Sequence, residues 1–397
     1  MSHPSPAAVF SAEPNTDAPL EEALEWRTEL LPARDGTENP SQLRAKPRRT
    51  LRYPFYLDGG GFQRLDAMLF GQQPTADWII PLWTDQAALA TGVGIGAAAL
   101  TLSGYTGLAF SNGGLVMLWR AADDYEVRDI STVSGATVNL AQTTTKAWAA
   151  DTLVTPCVFG VLGDSLDLER ITSTVLSGTA ELAIDPVRDT PNLPTAAAPA
   201  TYNGYELYAT EPNWAQAIPT SWLASADVLD PGMGGWSKVT RRAYGEQVRG
   251  YRWLFETRTD IQTFRAFLQR RLGSFVPVYL PTWDADLDLV QTINPSDTTA
   301  KFTDTGMTQF IAAHPARQHI IFQFKDGTSW ATQLSAPTLN GDGTTTVTIA
   351  APGITIAPSA LDLVSYLPLW RMADQVALQW HSAAVMSCDI KFRAVKP

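Results

Sequence analysis

The chain has 397 residues, of which 45% are hydrophobic and 17% are charged, so it carries enough apolar side chains to bury a sizeable core. Its formal net charge of −11 argues against a protein that binds phosphate backbones, because such binding depends on clustered Lys and Arg. We therefore expect no specific nucleic-acid binding.

The first residues of the chain predict no regular structure. Residues 1–20 are rich in Pro, Ser and Ala and show no periodicity, which predicts a flexible N-terminal arm. They lack a basic region followed by an apolar run, so we expect no secretory signal, and no apolar run in the chain is long enough to predict a membrane span. We expect a soluble protein of a reducing cytosol, with Cys157 and Cys388 buried and inert.

A lead segment and a basic stretch come next. Residues 21–43 form the lead segment, in which the pair Asp35–Gly36 predicts a turn. Two groups of basic residues stand at similar places before the two repeated segments described below: Arg44, Lys46, Arg48, Arg49 and Arg52, and then Arg241, Arg242, Arg249 and Arg252. We interpret both as solvated strand edges or as salt-bridge partners of an acidic neighbouring subunit, with phosphate contact as the alternative.

The most informative feature is an internal repeat. The hexapeptide WIIPLW at residues 78–83 matches VYLPTW at residues 278–283. The proline of one hexapeptide is 200 positions from the proline of the other, and so are the two final tryptophans. Segments on either side match in the same order with small drifts in the offset, as in Val138 and Val347, which are 209 positions apart. Such an order with small insertions predicts a duplicated domain, because loops absorb length changes more easily than strands.

The repeat sets the expected domains and fold. We expect a first β-rich repeat unit over residues 44–185, a Pro- and Trp-rich connector over 186–235 and a second β-rich unit over 236–397. Hairpin turns at 111–114 and 340–343 and the high content of Gly and Pro favour short antiparallel strands. The predicted fold is mainly β with short helices, in two duplicated antiparallel β-sandwich or half-barrel units, each with one packed helix.

The tryptophans divide into two sets. We expect burial, in the core or between units, for Trp83, Trp253, Trp283, Trp330 and Trp370. Trp214, Trp222 and Trp236 are embedded in the connector and at its end, and the seven prolines between residues 186 and 235 favour extended chain. We expect the connector to lie across a neighbouring subunit, so that deleting residues 191–212 leaves folded monomers that fail to assemble.

The residues that carry chemistry form no recognisable catalytic set, and we predict that the protein is not an enzyme. No histidine, among His3, His314, His319 and His381, has a partner at metal-ligand spacing. The string Gly59–Gly61 lacks the lysine of a phosphate-binding loop and indicates a turn or helix entry, and the alternating Gly92, Gly94 and Gly96 lack a strand-to-helix context. No catalytic, cofactor-binding or metal-binding residue and no cofactor is assigned.

Three alternating carboxylates remain as a possible ion site. Asp284, Asp286 and Asp288 follow Trp283 and could hold a hard cation such as calcium. The alternative is a solvated acidic edge that discourages strand-to-strand aggregation. The matching segment of the first unit has Asp85 alone, so the two units would not share such a site.

Three longer sequence matches resemble a protein family. The segment LEWRTELLPARDGTENPSQLRAKPRRTLRYPF at residues 24–55, the helix followed by the PLW strand, and the closing pattern PLWRMADQVALQW…CDIKF resemble minor tail proteins near the tail tip of long-tailed bacteriophages. The resemblance spans residues 21–397 and implies a structural protein of the tail tip or baseplate, akin to distal tail proteins. It implies no catalytic residues.

The resemblance and the repeat together predict an assembly. Two like units per chain predict a homotrimer with pseudo-sixfold symmetry around the tail channel, with a homohexamer as the runner-up. The expected partners are the tail tube, hub and fibres, and the expected location is the virion tail, assembled in the host bacterial cytoplasm. The genome would pass through an acidic channel to which it does not stick.

Two other classes of function stay open. A carbohydrate-binding phage adhesin that contacts the host surface would also be rich in strands and Trp, and would present Trp214, Trp222 or Trp236 to solvent. A tail-associated hydrolase would have to use a carboxylate pair, because histidine is scarce.

Overall fold

The fold is described from a computed structural model of the chain. The structure describes residues 8–15, 17–33, 37–72, 76–104, 108–163, 165–189, 198–223, 226–240, 245–311 and 314–396. Strands account for 48% of the structure and helical segments for 11%, and the strands form large antiparallel sheets. The predicted mainly β class is therefore confirmed.

The N-terminal half, residues 8–189, contains fourteen strands and one α-helix among its described residues. In chain order they are β1 Ala8–Val9, β2 Leu20–Glu25, β3 Thr28–Pro32, β4 Glu38–Gln42, β5 Arg48–Asp58, α1 Gly59–Gly71, β6 Trp78–Pro81, β7 Ala87–Leu89, β8 Ala99–Ser103, β9 Leu115–Ala121, β10 Asp124–Ser134, β11 Thr137–Leu140, β12 Leu153–Leu162, β13 Leu168–Arg170 and β14 Val175–Ile184.

The C-terminal half, residues 198–396, contains sixteen strands and one α-helix among its described residues. They are β15 Thr201–Tyr202, β16 Tyr205–Glu206, β17 Thr220–Leu223, β18 Ala226–Leu229, β19 Ser237–Thr240, β20 Glu246–Phe255, α2 Arg258–Arg271, β21 Val278–Tyr279, β22 Thr299–Thr303, β23 His319–Phe324, β24 Ser329–Gln333, β25 Ser335–Leu339, β26 Thr344–Thr348, β27 Leu361–Tyr366, β28 Leu369–Met372, β29 Gln375–Trp380 and β30 Met386–Val395.

The strands of the two halves pair in the same order. In the N-terminal half, antiparallel pairs join β8–β11, β11–β10, β10–β9, β9–β12, β12–β6, β12–β14, β14–β13 and β14–β5. In the C-terminal half they join β22–β26, β26–β25, β24–β23, β23–β27, β28–β21, β28–β30, β30–β29 and β30–β20. The long strand β10 corresponds to two shorter consecutive strands, β24 and β25. The long strand β12 likewise corresponds to β27 and β28. Each half thus has a strand, a helix and a strand in one sequence, β5–α1–β6 and β20–α2–β21.

The burial of the first long strand in each half follows the same phase. Leu51, Tyr53 and Phe55 of β5 are buried, and 200 positions later so are Tyr251, Trp253 and Phe255 of β20. Opposite them, Leu182 pairs with Leu51 and Ile390 with Tyr251. We use "register equivalents" for residues of the two halves that occupy matching positions in these ladders.

One strand joins the halves into a single sheet. β2 pairs with β5 on one side and with β29 of the C-terminal half on the other. One large sheet therefore contains strands of both halves. The main hydrophobic core also draws on both, with Trp78 and Phe55 from one half and Trp253 and Trp370 from the other.

The burial of the predicted core tryptophans is confirmed for four of five. Trp83, Trp253, Trp283 and Trp370 are buried, whereas Trp330 is half-buried against a second core formed within the C-terminal half. A buried indole N–H needs an acceptor. That of Trp370 donates to the carbonyl oxygen of Leu280 at 2.8 Å, and that of Trp83 donates to the hydroxyl of Tyr53 at 3.2 Å.

The predicted flexible arm is wrong from residue 8 onward. β1 runs parallel to β6, and the side chain of Phe10 is fully buried against Tyr53, Phe55 and Trp78. Burying one large aromatic ring offsets the entropy of ordering the few residues around it, which composition alone did not indicate. Residues 1–7 lie outside the described residues.

The predicted connector also needs a correction. Its residues 200–213 pack on the C-terminal half of the same chain: Tyr208 stacks on Phe267, and Leu207 forms a parallel bridge with Tyr279. Glu206 is buried and accepts hydrogen bonds from Arg270 and Arg271 of α2. The deletion of residues 191–212 would remove these contacts, so we no longer expect that variant to leave a folded monomer.

We predict that Trp253→Ala lowers the free energy of unfolding by about 3–5 kcal/mol, because it empties a fully enclosed site in the core that both halves share. Trp236→Ala is the control, since that ring is 64% exposed in the isolated chain and its loss should cost within about 0.5 kcal/mol. Guanidinium-induced unfolding of both variants measures the two values. Equal losses in both would contradict the assigned core.

Candidate functional site

The three described histidines each have a different hydrogen-bond partner. His319 is buried at the start of β23, where its Nδ1 is 2.9 Å from the hydroxyl of Tyr202, and burial lowers its pKa. His381 hydrogen-bonds Ser387 through Nε2 at 2.9 Å on the surface, and His314 accepts from the backbone N–H of Ala316. The ring of His319 thus lies in a buried aromatic contact with Tyr202 and Tyr279. His3 lies outside the described residues.

The glycine strings and the cysteines are structural where they are described. Residues Gly59–Gly61 begin α1, as predicted, and Gly92, Gly94 and Gly96 lie in the loop between β7 and β8. Both cysteines are buried, as predicted, and burial raises the pKa of each thiol. A thiol that resists ionisation is a poor nucleophile.

The three alternating aspartates diverge rather than converge. Asp284 forms a salt bridge with the guanidinium of Arg249 at 2.5 Å. Asp286 accepts hydrogen bonds from the hydroxyl of Thr282 and from the backbone N–H of Tyr366, while Asp288 is exposed. The described residues contain no group of three or more His, Cys, Asp or Glu side chains that could hold a metal ion. The segment is therefore part of the internal ion pairing.

The basic stretches are not simply solvated edges. Arg49 and its register equivalent Arg249 are both buried and paired with carboxylates of the same chain, Glu22 and Asp284. Arg252 pairs with Asp389 at the surface. The expectation of solvated edges is wrong for Arg49 and Arg249, because each is buried and needs a counter-charge. Arg241 and Arg242 lie outside the described residues.

A buried ion cluster lies where the two halves meet. Glu22, on the inward face of β2, is fully buried. Its Oε1 accepts from Arg49 Nε at 2.7 Å and lies 3.3 Å from Arg265 NH2 of α2. Its Oε2 accepts from the indole N–H of Trp380 at 2.9 Å. A single carboxylate of β2 thus contacts both halves.

The second carboxylate of the cluster extends it along the junction. Asp85 follows the PLW segment, is fully buried, and accepts a hydrogen bond from Arg258 at the first turn of α2. Arg258 also donates to the carbonyl oxygens of Thr84 at 2.8 Å and Ala383 at 2.9 Å. This arginine therefore ties the N-terminal half to both the helix and the last hairpin of the C-terminal half.

The charges of the junction cluster balance. The acids Glu22, Asp85 and Asp189 face the bases Arg49, Arg258 and Arg265. Burial alone would raise the pKa of Glu22, but the charges of Arg49 and Arg265 and the hydrogen bond from Trp380 outweigh it and lower the pKa from 4.5 to about 2. A buried cluster of this kind is costly to break, because removal of one member leaves another charge uncompensated.

A hairpin from the N-terminal half also docks on the C-terminal half. Strands β3 and β4 form this lead hairpin, and Glu38 at the start of β4 contacts Arg371 Nε at 2.8 Å and the guanidinium of Arg393. The side chain of Glu38 is only 5% exposed. Between β2 and the lead hairpin, Trp26 is buried, with its backbone N–H donating to the carbonyl oxygen of Asp374 at 2.8 Å.

The C-terminal end of the connector and the residues directly after it present an apolar surface. Strand β17 pairs with β20, and β18 and β19 form a two-stranded hairpin of their own. We call β17 together with this hairpin the docking arm, residues 220–223 and 226–240. Its exposed large apolar side chains are Trp222, Leu223, Val228, Leu229, Met233, Trp236 and Val239. Apolar side chains grouped on a projecting element mark an interaction surface.

An open cavity lies on the N-terminal half. It has a volume of about 520 Å³ and is lined in part by Arg48, Val161, Asp185 and Arg188. A neighbouring cavity of about 590 Å³ shares Arg188 and includes Cys157 in its wall, and no histidine lines either one.

Sequence reasoning missed the residues that build these contacts. Glu22 and Glu38 are ordinary acidic residues of the lead segment, and nothing in their neighbourhood marks them as buried. The sequence did contain one sign that the residues before the two repeated segments are related: the tripeptide Glu-Pro-Asn occurs at residues 13–15 and again at 211–213. That match extends the repeat into segments that were interpreted as a flexible arm and a connector.

No protein-family model matches the chain, and no curated protein sequence matches it either. In the described part of the chain, no helix combines the length and the apolar character needed to cross a membrane.

We predict that Glu22→Gln lowers the free energy of unfolding by about 3–5 kcal/mol at neutral pH, because it leaves Arg49 and Arg265 without their counter-charge. Glu21→Gln on the same strand is the control, since Glu21 points to the other face and is not fully buried. Denaturant unfolding of both variants gives the comparison. Similar stability of the two would contradict the structural role of the cluster.

The same carboxylate predicts a pH dependence. Because folding lowers the pKa of Glu22 to about 2, its contribution is fully present above pH 4.5 and is lost as the pH falls from there towards 2. A shift of this size corresponds to about 3 kcal/mol. Unfolding free energies between pH 7 and pH 2 should therefore fall less steeply for Glu22→Gln than for the natural protein, and parallel curves would refute the assignment.

Proposed function

We propose that this chain is a structural component of a bacteriophage tail tip or baseplate, forming a ring around the tail channel between the sixfold tail tube and the tip hub or fibres. The sequence resemblance to minor tail proteins is one support. The proposal needs no catalytic residue, and the titratable groups of the junction are used in ion pairing within the chain.

One observation carries the proposal. The two halves pair their strands in the same order, and β2 joins the sheet of one half to the sheet of the other through β29. We interpret the halves as two copies of one antiparallel β unit, each with a packed helix, that descend from a duplication. Two such units already joined side by side are two adjacent segments of a ring.

The symmetry of tails gives this arrangement a use. Tail tubes of long-tailed phages are sixfold, whereas tip hubs are commonly threefold. Three chains with two similar units each present six similar places to the tube and three identical chains to the hub, so a homotrimer with pseudo-sixfold symmetry accommodates the mismatch. A homohexamer, with one unit lining the channel and the other outside, is the runner-up.

The composition suits a channel wall. The net charge of −11 disfavours adhesion of a polyanion, so DNA could pass without binding. Exposed strand edges would also be covered, because a closed ring joins each unit to the next. The expected neighbours are therefore other tail proteins.

We predict that the purified chain forms a particle with a mass near three times 43.1 kDa. Native mass spectrometry measures it, and averaged images of tail tips show whether the ring is present in virions. A mass near six times that of the chain would select the hexamer. A stable monomer at micromolar concentration that is absent from tail particles would reject the ring.

A carbohydrate-binding adhesin is the second candidate, and one observation favours it. Trp214, Trp222 and Trp236 are 49%, 59% and 64% exposed, and exposed indole rings stack on sugar rings. A glycan array probed with the natural protein and with Trp214→Ala and Trp236→Ala tests it. Glycan binding that the alanine variants lose would favour the adhesin, and absence of binding would leave the ring.

A further inference from the structure

The docking arm and the segment from β2 to the lead hairpin are register equivalents. β2 pairs with β5 so that Leu24 lies opposite Arg49, and β17 pairs with β20 so that Thr220 lies opposite Arg249. Two residues further along each segment stand Trp26 and Trp222. A two-stranded hairpin follows in both halves, β3–β4 and β18–β19, before the long strand begins.

The two hairpins can be aligned residue by residue. Pro32 lies opposite Glu38 in the first hairpin, and Val228 lies opposite Lys238 in the second. Glu38 and Lys238 are 200 positions apart, which is the offset of Arg49 and Arg249. Lys238 is therefore the register equivalent of Glu38.

The equivalent residues have different surroundings. Trp26 is 1% exposed because it lies at the junction of the two halves, whereas Trp222 is 59% exposed. Glu38 is enclosed by Arg371 and Arg393, whereas Lys238 is exposed. The lead hairpin of the N-terminal half thus has a docking site on the C-terminal half, and the docking arm has no such site within its own chain's described residues.

The equivalent docking site exists on the N-terminal half. In the C-terminal half Trp370 lies opposite Val278, and in the N-terminal half Gly160 lies opposite Trp78, so Trp370 and Gly160 occupy matching positions. The residues that follow them, Arg371 and Val161, are therefore register equivalents. Arg393 lies opposite Val248, and Ile184 lies opposite Arg49. Asp185 is the residue after Ile184, so it occupies in the N-terminal ladder the position that Arg393 occupies in the C-terminal ladder. Val161 and Asp185 both line the open cavity of about 520 Å³.

The charges of the two sites are reversed together. Within the chain, an acidic hairpin residue, Glu38, meets a basic site residue, Arg393. At the equivalent positions, the hairpin residue is basic, Lys238, and the site residue is acidic, Asp185, whose carboxylate also pairs with Arg188 of its own chain. A paired reversal keeps the contact attractive and prevents each hairpin from binding the other's site, because like charges would then meet.

We infer that the docking arm of one copy docks in the cavity on the N-terminal half of a second copy, and that this contact repeats the junction between the halves of one chain. Lys238 then pairs with Asp185 of the neighbour, and Trp222 is buried as Trp26 is. The contact is head-to-tail, so repetition generates a closed ring or a filament. The inference rests on the proposed ring and identifies the surface that closes it.

The junction also predicts which strand edges meet. Within the chain, β2 contacts β29, and Glu21 lies opposite Gln379. In the N-terminal half, β13 occupies the place that β29 has in the C-terminal half. Leu168 of β13 lies opposite Gly178 of β14, and Trp380 of β29 lies opposite the equivalent residue, Met386 of β30. Counting along both ladders places Ala217, just before the docking arm, opposite Asp167 of the next copy, and both residues are exposed.

Charge reversal tests the docking. Lys238→Glu and Asp185→Lys should each weaken assembly at least about tenfold, because like charges then meet in the contact, and the double variant should restore it. Lys325→Glu, an exposed lysine on the turn between β23 and β24, is the control and should assemble normally. Sedimentation over a concentration series measures the dissociation constants. Unchanged assembly of both single variants would overturn the docking surface.

A cysteine pair gives an independent test that does not depend on the strength of assembly. Ala217→Cys and Asp167→Cys chains, mixed under mild oxidation, should form disulfide-linked dimers, since facing Cα atoms of an antiparallel pair lie about 4.5–5.5 Å apart. Each variant alone should stay uncrosslinked, and the natural cysteines are buried. No linked dimer from a mixture whose chains do associate would overturn the predicted strand contact.

The two proposals fail in different ways. Rings that form without sensitivity to Lys238 and Asp185, and without the disulfide, would overturn this inference and leave the ring. Crosslinked, charge-dependent assembly of a protein absent from tail particles would support the docking surface and overturn the proposed place in the tail. A chain that stays monomeric and uncrosslinked at a concentration of about 0.1 mM would overturn the docking surface as well.

Discussion

The burial of Glu22 is the constraint on which the arrangement of the two halves depends. A carboxylate taken fully out of water costs several kcal/mol unless charges and hydrogen bonds compensate it. Here the compensation comes from Arg49 in one half and from Arg265 and Trp380 in the other, so it is complete only when both halves are in place. A slip of β2 by one residue would turn Glu22 to the opposite face and remove from Arg49 and Arg265 the carboxylate nearest to each.

The consequences of this junction extend outward in order. β2 completes a continuous sheet, Trp26 closes the gap beside it, and the lead hairpin places Glu38 between Arg371 and Arg393. Apolar packing supplies most of the free energy of such a contact, while the ion pairs fix its register and orientation. The same division of labour appears at α2, where Arg270 and Arg271 hold Glu206 beneath the stacked rings of Tyr208 and Phe267.

The two halves share a pairing scheme but differ in what covers their edges. In the N-terminal half, β2 and the lead hairpin are covered by the C-terminal half of the same chain, whereas the equivalent docking arm is exposed and apolar. This difference is what the proposed head-to-tail assembly of chains requires, because one junction lies within each chain and the other would lie between chains. The buried acids and arginines described above fit that picture, since they form ion pairs within the chain.

By itself, the sequence determined the mainly β class of the fold, the two helices before the Pro-Trp segments and the burial of most of the selected tryptophans. These follow from the composition and periodicity of short segments, which need no knowledge of distant contacts. It misjudged Phe10, Arg49 and Arg249, and it missed Glu22, because their burial depends on partners tens to hundreds of residues away. Only the tertiary structure decided that the lead segment belongs to the junction, that the connector packs on its own chain, and that Trp26 and Trp222 have opposite exposures at equivalent positions. Burial is a property of neighbours in space, and two identical residues at equivalent positions differ when only one has another part of the chain packed on it.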